Sequence, residues 1–178
     1  MTATDPTRSA HFDRSGGFSF VSRGDRVLGV YRDAADAERP APVVLVCGAR
    51  GAARSADVER AFSQLRAWAT AAAIDLPLCG ARHSEKLSAQ ALDPEHCLAR
   101  TLGPDLERQV AADLEGAFEV LRQRSPAPDP RMGLVAFGIG ARLARGFCQS
   151  FDLLAAHLLS SNEPSERDWS RLRRSLQR

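Results

Sequence analysis

Lysine is nearly missing from this sequence: of 24 Lys and Arg residues only Lys86 is a lysine, and with 22 acidic residues the formal net charge is +2. A surface that binds nucleic acid needs a large basic excess gathered on one face, and no such excess is present. No run reaches 18 consecutive apolar residues, so a membrane-spanning helix is not expected. The first residues, Met1 to Arg14, are polar and mixed in charge and lack the apolar stretch of a secretion signal, so the expected location is the cytoplasm. The four cysteines, Cys47, Cys79, Cys97 and Cys148, form no Cys-x-x-Cys pair and no repeating interval, which argues against a zinc knuckle and a disulfide framework. No Gly-x-x-x-x-Gly-Lys-Ser/Thr is present, which removes phosphoryl transfer of the P-loop kind.

What remains is the composition of a globular domain, 44% hydrophobic and 26% charged over 178 residues. A chain of this length buries roughly two-thirds of its unfolded surface and needs no staple. One domain is expected over 1–178, with a flexible terminus at 1–16 and an Arg-rich tail at 162–178. In that tail Arg167, Arg171, Arg173, Arg174 and Arg178 are diluted by Glu163, Glu166 and Asp168, the pattern of a solvated terminal helix. Phe18–Ser22 and Arg26–Tyr31 alternate around Arg23-Gly24-Asp25 and predict a hairpin. Val43-Val44-Leu45-Val46-Cys47 is a β-branched run suited to a strand buried on both faces. Ser55 is placed to cap a helix from Ala56 to about Ala69, carrying Val58, Phe62, Leu65 and Trp68 at helical spacing. Ala72–Pro77 is a second short apolar run, and the passage through Ala67–Ala73 has no Gly-containing turn where a loop of about 2–6 residues is expected. Cys79–Arg100 loses the pattern and predicts an irregular excursion. Pro104 predicts the start of a long helix bearing Leu106, Val110, Leu114, Phe118 and Leu121. After Pro126, Pro128 and Pro130, Met132–Phe137 predicts a buried strand. Ala141 to about Cys148 follows as a helix and Asp152–Leu159 as a last strand.

Strands alternating with helices require right-handed crossovers and a mostly parallel sheet, antiparallel only at the N-terminal hairpin, with helices on both faces. Ligands bind such sheets at the carboxyl ends of the strands. Over roughly Phe18 to Ser161 the sequence resembles the α/β-hydrolase superfamily, in particular dienelactone-hydrolase-like and prolyl-oligopeptidase-like members. The resemblance rests on Val46-Cys47-Gly48-Ala49-Arg50-Gly51-Ala52 as an oxyanion-loop-like segment, on Asp75-Leu76-Pro77-Leu78-Cys79-Gly80 as a strand end, and on Ala136-Phe137-Gly138-Ile139-Gly140 as a nucleophile elbow. It implies an incomplete α/β-hydrolase-like sheet. Its departures are specific. The nucleophile position holds Gly138, which has no side chain with which to attack a carbonyl. Only seventeen residues follow Ser161 and none is histidine, while His157 lies inside a predicted strand and reads as a sheet-face residue. Two strand–helix units of the family are absent, so the strand near Leu153–Leu159 is expected to be an open edge, to be covered by a second subunit or partner protein, or to lie under the Arg-rich tail. The expected function is a non-catalytic binding protein whose small ligand or partner meets the old active-site mouth at Gly48, Ala49, Arg50, Gly138 and Ile139.

Other constellations compete. Cysteine replaces serine in dienelactone hydrolase, so Cys79 with His83 is the leading alternative pair for ester or lactone hydrolysis, and Cys97 with His96 is a second. Both cysteines lie off the elbow, and incidental thiols are the plainer reading. His83, His96, Cys79 and Cys97 offer metal-ligand types at a spacing that matches no zinc pattern, so no metal is expected. Gly138-Ile139-Gly140 is similar to a dinucleotide loop, but the third glycine position holds Leu143, and no cofactor is called for. Arg82-His83-Ser84-Glu85-Lys86 is either a solvated loop or a grip for an anionic ligand.

Overall fold

The computed structural model describes residues 10–35, 41–150, 155–159 and 161–177. These residues form a seven-stranded sheet in the order β1-β2-β3-β5-β4-β6-β7. The strands are β1 (His11–Phe12), β2 (Gly17–Ser22), β3 (Asp25–Arg32), β4 (Val43–Cys47), β5 (Thr70–Ile74), β6 (Met132–Phe137) and β7 (Ala155–Leu159). β1, β2 and β3 pair antiparallel and β3 meets β5 antiparallel; β5, β4, β6 and β7 are parallel. The hairpin thus stands where expected, with its turn at Arg23 and Gly24. Phe12 packs on Phe18 and Tyr31, so residues 10–16 are not the flexible terminus expected over 1–16, the rest of which lies outside the described residues.

The central run sorts its side chains by alternation. Val43, Leu45 and Cys47 enter one core with α3 (Cys97–Arg124) and α4 (Ile139–Ser150), and Val44 and Val46 enter the other with α1 (Ala56–Leu65) and α5 (Glu166–Gln177). Both faces of the sheet are therefore covered, as parallel strands require.

Several boundaries differ from expectation, each for a local reason. α1 stops at Leu65 rather than Ala69: the amides of Trp68 and Ala69 both turn back to the Leu65 carbonyl, and four residues lead to β5. The connection from α1 to β5 is therefore a four-residue loop. Ala71, Ala72 and Ala73 would favour helix, but they lie between β3 and β4, where small side chains fit a crowded interior strand and pairing overrides propensity. Ser55 is the N-cap of α1 by position, but its hydroxyl donates to Ala52 O at 2.8 Å and does not cap. α3 begins at Cys97, seven residues before Pro104, because His96 Nδ1 accepts the Leu98 amide at 3.1 Å and caps it; Pro104 sits inside the helix on its exposed side. The excursion of Cys79–Arg100 accordingly contains a 3-10 turn at Gly80–Arg82, the short helix α2 (Ser88–Leu92) and the first turn of α3. α4 runs from Ile139 to Ser150, longer at both ends than predicted.

α5 corrects the reading of a solvated tail. Trp169, Leu172 and Leu176 are buried against β6 and β7, and only its arginine face meets water, where Arg173 stands 6.0 Å from the Trp68 ring centre. Among the described residues β7 is one edge of the sheet and β1 the other; β7 carries Leu158 at 36% exposure, and the part of the last strand expected at Asp152–Leu154 lies outside them. No helix of the described residues is long and apolar enough to cross a membrane.

Candidate functional site

The carboxyl ends of β4 and β6 bring the two expected loops face to face. Gly138 follows β6 with φ of +57°, the left-handed conformation of a strand-to-helix elbow, and glycine adopts it without steric cost. A Cβ at this position would stand 2.9 Å from Ala49 Cα, 3.0 Å from Ala49 Cβ and 3.0 Å from Asn162 Oδ1. The space where a nucleophile's side chain would rise is thus taken by the opposite loop and by Asn162, which follows β7. The elbow keeps its backbone shape and holds no side-chain oxygen or sulfur.

Oxyanion stabilisation requires two backbone N–H groups, one from the residue after the nucleophile and one from the β4–α1 loop, both aimed at the developing charge. Here each already has a protein acceptor. The Ile139 amide donates to Ala49 O at 3.1 Å, and the Gly140 amide donates to Gly48 O at 3.2 Å. The Ala49 amide donates to the buried Asp57 carboxylate at 2.6 Å. Asp57 lies in the first turn of α1, where a negative charge is favoured by the helix dipole. Gly48, Ala49, Gly138 and Ile139 are therefore brought together as expected, but their polar groups close on each other. Arg50, at the same loop, is exposed and makes no ion pair among the described residues.

A second clasp holds the neighbouring strand end. Asp75, buried after β5, accepts the Ala53 amide at 2.8 Å and the Ala81 amide at 3.0 Å, tying the β4–α1 loop to the 3-10 turn. Gly80 is required there: its φ is +56°, and a Cβ would lie 2.1 Å from Asp75 Oδ1. Cys79 is 3% exposed beside this clasp, and burial, reinforced by the Asp75 charge, pushes its thiol up to about 11 against weaker opposing pulls from Arg82 and Arg142. Among the described residues no hydrogen bond joins Cys79 to His83, which is exposed. Cys97 is exposed with Sγ 3.9 Å from His96 Nδ1, whose lone pair is already engaged in capping α3. Burial raises the Cys47 and Cys148 thiols as well. No group of three or more His, Cys, Asp or Glu among the described residues is placed to hold a metal ion.

Of the Arg82–Lys86 cluster, Arg82 is neither solvated nor free to grip an anion. It donates to the fully buried Asp113 at 2.5 Å, to Asp75 O at 3.2 Å and to Asp25 at 3.3 Å, while Gln109 satisfies the other Asp113 oxygen at 2.8 Å. His83, Glu85 and Lys86 are exposed. Arg142, in the first turns of α4, donates to Leu92 O and pins the end of α2 against the elbow helix. His157 lies on the α5 face of β7, as its strand position implied; burial holds its pKa below the usual histidine value, with Arg171 adding to this and Asp168 opposing it.

Asp57, Asn162 and the Asp75 clasp were not singled out by the sequence. A carboxylate in the first turn of a helix was visible at Asp57, but its partner lies eight residues earlier, in a loop whose path only the fold determines.

No protein-family model matches the sequence, and no curated protein matches it. Solved structures do. A cold-adapted esterase from an Arctic intertidal metagenomic library matches 79% of this chain and 57% of its own, with a TM-score of 0.61 at 21% identity. A protein from Klebsiella pneumoniae described as a dienelactone hydrolase matches 83% of this chain and 60% of its own, with a TM-score of 0.59 at 17% identity. An α/β serine hydrolase without a lid from Xanthomonas campestris matches 88% of this chain and 62% of its own, with a TM-score of 0.56 at 13% identity. The chain spans about 57–62% of the length of these three structures.

Proposed function

We propose that this chain, whose fold is that of the α/β hydrolases, is a non-catalytic protein that uses the mouth between the β4–α1 loop and the elbow as a binding surface for a small ligand or partner. The observation that carries the reading is the joint loss at the elbow: Gly138 supplies no attacking atom, and the amides of Ala49 and Ile139, the pair an oxyanion needs, are both spent on protein acceptors. Removing the nucleophile alone leaves only the residual rate that binding and an oxyanion hole provide. With the hole closed as well, that residue is lost. Arg50, exposed and unpaired among the described residues, is the charged group that the mouth offers to a ligand.

Hydrolysis through Cys79 is the rival. A nucleophilic thiol needs a lowered pKa and a nearby base. Cys79 has instead a buried thiol beside a carboxylate and carries almost no thiolate at neutral pH.

Turnover of short-chain p-nitrophenyl esters and of a lactone by the wild type, Cys79→Ala and Gly138→Ser separates the two. The expected result is no saturable turnover in any of the three. Gly138→Ser restores an oxygen but no base, and its Cβ must displace Ala49 and Asn162. Saturable wild-type turnover abolished by Cys79→Ala would overturn the reading.

A further inference from the structure

A groove of about 470 Å³ lies away from the elbow, between the β2–β3 hairpin turn, the end of β5 and the N-terminal half of α3. Its volume falls in the range of small-molecule sites, roughly 300–1,000 Å³. Pro77, Leu78, Leu87, Leu102 and Leu106 supply apolar walls. Leu87 is 43% exposed, one of the few large apolar side chains left to water. Leu78 has φ of +63°, a region that a bulky side chain enters only under constraint. The constraint is visible: the buried Ser88 hydroxyl donates to Leu78 O at 2.8 Å while accepting the Ser84 amide at 2.8 Å, and this fixes the strained residue as part of the wall. Strain of this kind collects at ligand sites.

The charges around the groove are paired with one exception. Arg82 is shared between Asp113 and Asp25, and Asp105 is paired with Arg108. Gln109 is committed to Asp113. Arg26, at the rim, makes no ion pair among the described residues; one nitrogen donates to Ser19 Oγ at 3.3 Å, and the rest of its planar fork is open. An apolar trough with one guanidinium at its end that no carboxylate of the described residues engages complements a molecule with an apolar body and one anionic head.

We propose that this groove binds a small hydrophobic monocarboxylate, its tail along Leu78, Leu87, Leu102 and Leu106 and its carboxylate on the Arg26 fork. None of these residues belongs to the elbow or the oxyanion-like loop, so the site stands or falls independently of the proposed loss of hydrolysis. Arg26 also borders a separate cavity of about 440 Å³ that contains Leu28, Ala52 and Arg54, and the position of the tail distinguishes the two.

Octanoate is the probe, with octanol and octylamine as controls, titrated into the full chain and followed by calorimetry and by leucine methyl shifts. Saturable octanoate binding is expected, tighter than either control, with shifts at Leu78, Leu102 and Leu106. Arg26→Gln is expected to weaken octanoate by about tenfold, the scale of one charge-assisted hydrogen bond, while leaving octanol unchanged. Leu87→Ser, at a position 43% exposed, is expected to weaken both while leaving the unfolding midpoint of the free protein within a few degrees of wild type. Absence of saturable binding, equal binding of octanoate and octylamine, insensitivity to both substitutions, or shifts at Leu28 instead of Leu102 and Leu106 would each overturn the proposal.

Discussion

Two carboxylates, Asp57 and Asp75, determine the condition of the site. Each is buried and each takes its bonds from backbone amides of the β4–α1 loop: Asp57 from Ala49, and Asp75 from Ala53 together with Ala81 across the 3-10 turn. A buried donor left without its acceptor costs its desolvation, about 1–3 kcal/mol. Asp57→Ala is therefore expected to lower the stability measured by urea unfolding by that amount, and Asp57→Asn, which keeps an acceptor oxygen, by clearly less. Equal losses in the two variants, or none, would remove Asp57 as the anchor of the loop. At this scale the sequence was legible where one residue type decides the chemistry. That Gly138 offers no side-chain atom at the turn after β6 was plain from the sequence. It was not legible where a bond joins residues through the fold, as Asp57 to Ala49 or Arg82 to Asp113; the latter turned an apparently solvated loop arginine into half of a buried ion pair.

Among the elements, α5 departs furthest from its appearance in the sequence. Its arginines suggested a solvated helix, but Trp169, Leu172 and Leu176 recur at i, i+3 and i+7 and cover the α1-side face of β6 and β7. Charge density obscured a stripe that was present in the sequence all along. Leu172 is fully buried, so Leu172→Ala is expected to destabilise the protein by about 2–5 kcal/mol in chemical unfolding, whereas Arg173→Ala on the wet face should stay within about 0.5 kcal/mol. A small effect at Leu172 would show that α5 is peripheral after all. The strands were easier to read than the helix ends: β4 and β6 were marked by uninterrupted apolar runs, while the start of α3 depended on a histidine cap that propensity does not weigh as heavily as a proline.

For the whole molecule, the hairpin followed by alternating strands and helices was enough to call a mostly parallel sheet, because crossover handedness leaves few other arrangements. The sheet order and the likeness to esterase and hydrolase structures agree with that arrangement. What pattern alone could not reveal was how the two loops at the carboxyl ends meet: the motif spacing brought Gly48, Ala49, Gly138 and Ile139 together, but the direction of their amides depends on Asp57 and on backbone carbonyls. We propose that the amides of the oxyanion-like loops have closed on protein acceptors, and hydrogen–deuterium exchange of the Ala49 and Ile139 amides, resolved by NMR, is the sharpest test. Both amides are predicted to exchange far more slowly than open amides, in keeping with their bonds to Asp57 and to Ala49 O. Exchange of both at the rate of unprotected amides, while core amides such as that of Leu45 remain protected, would show that the two loops are open to a ligand oxygen.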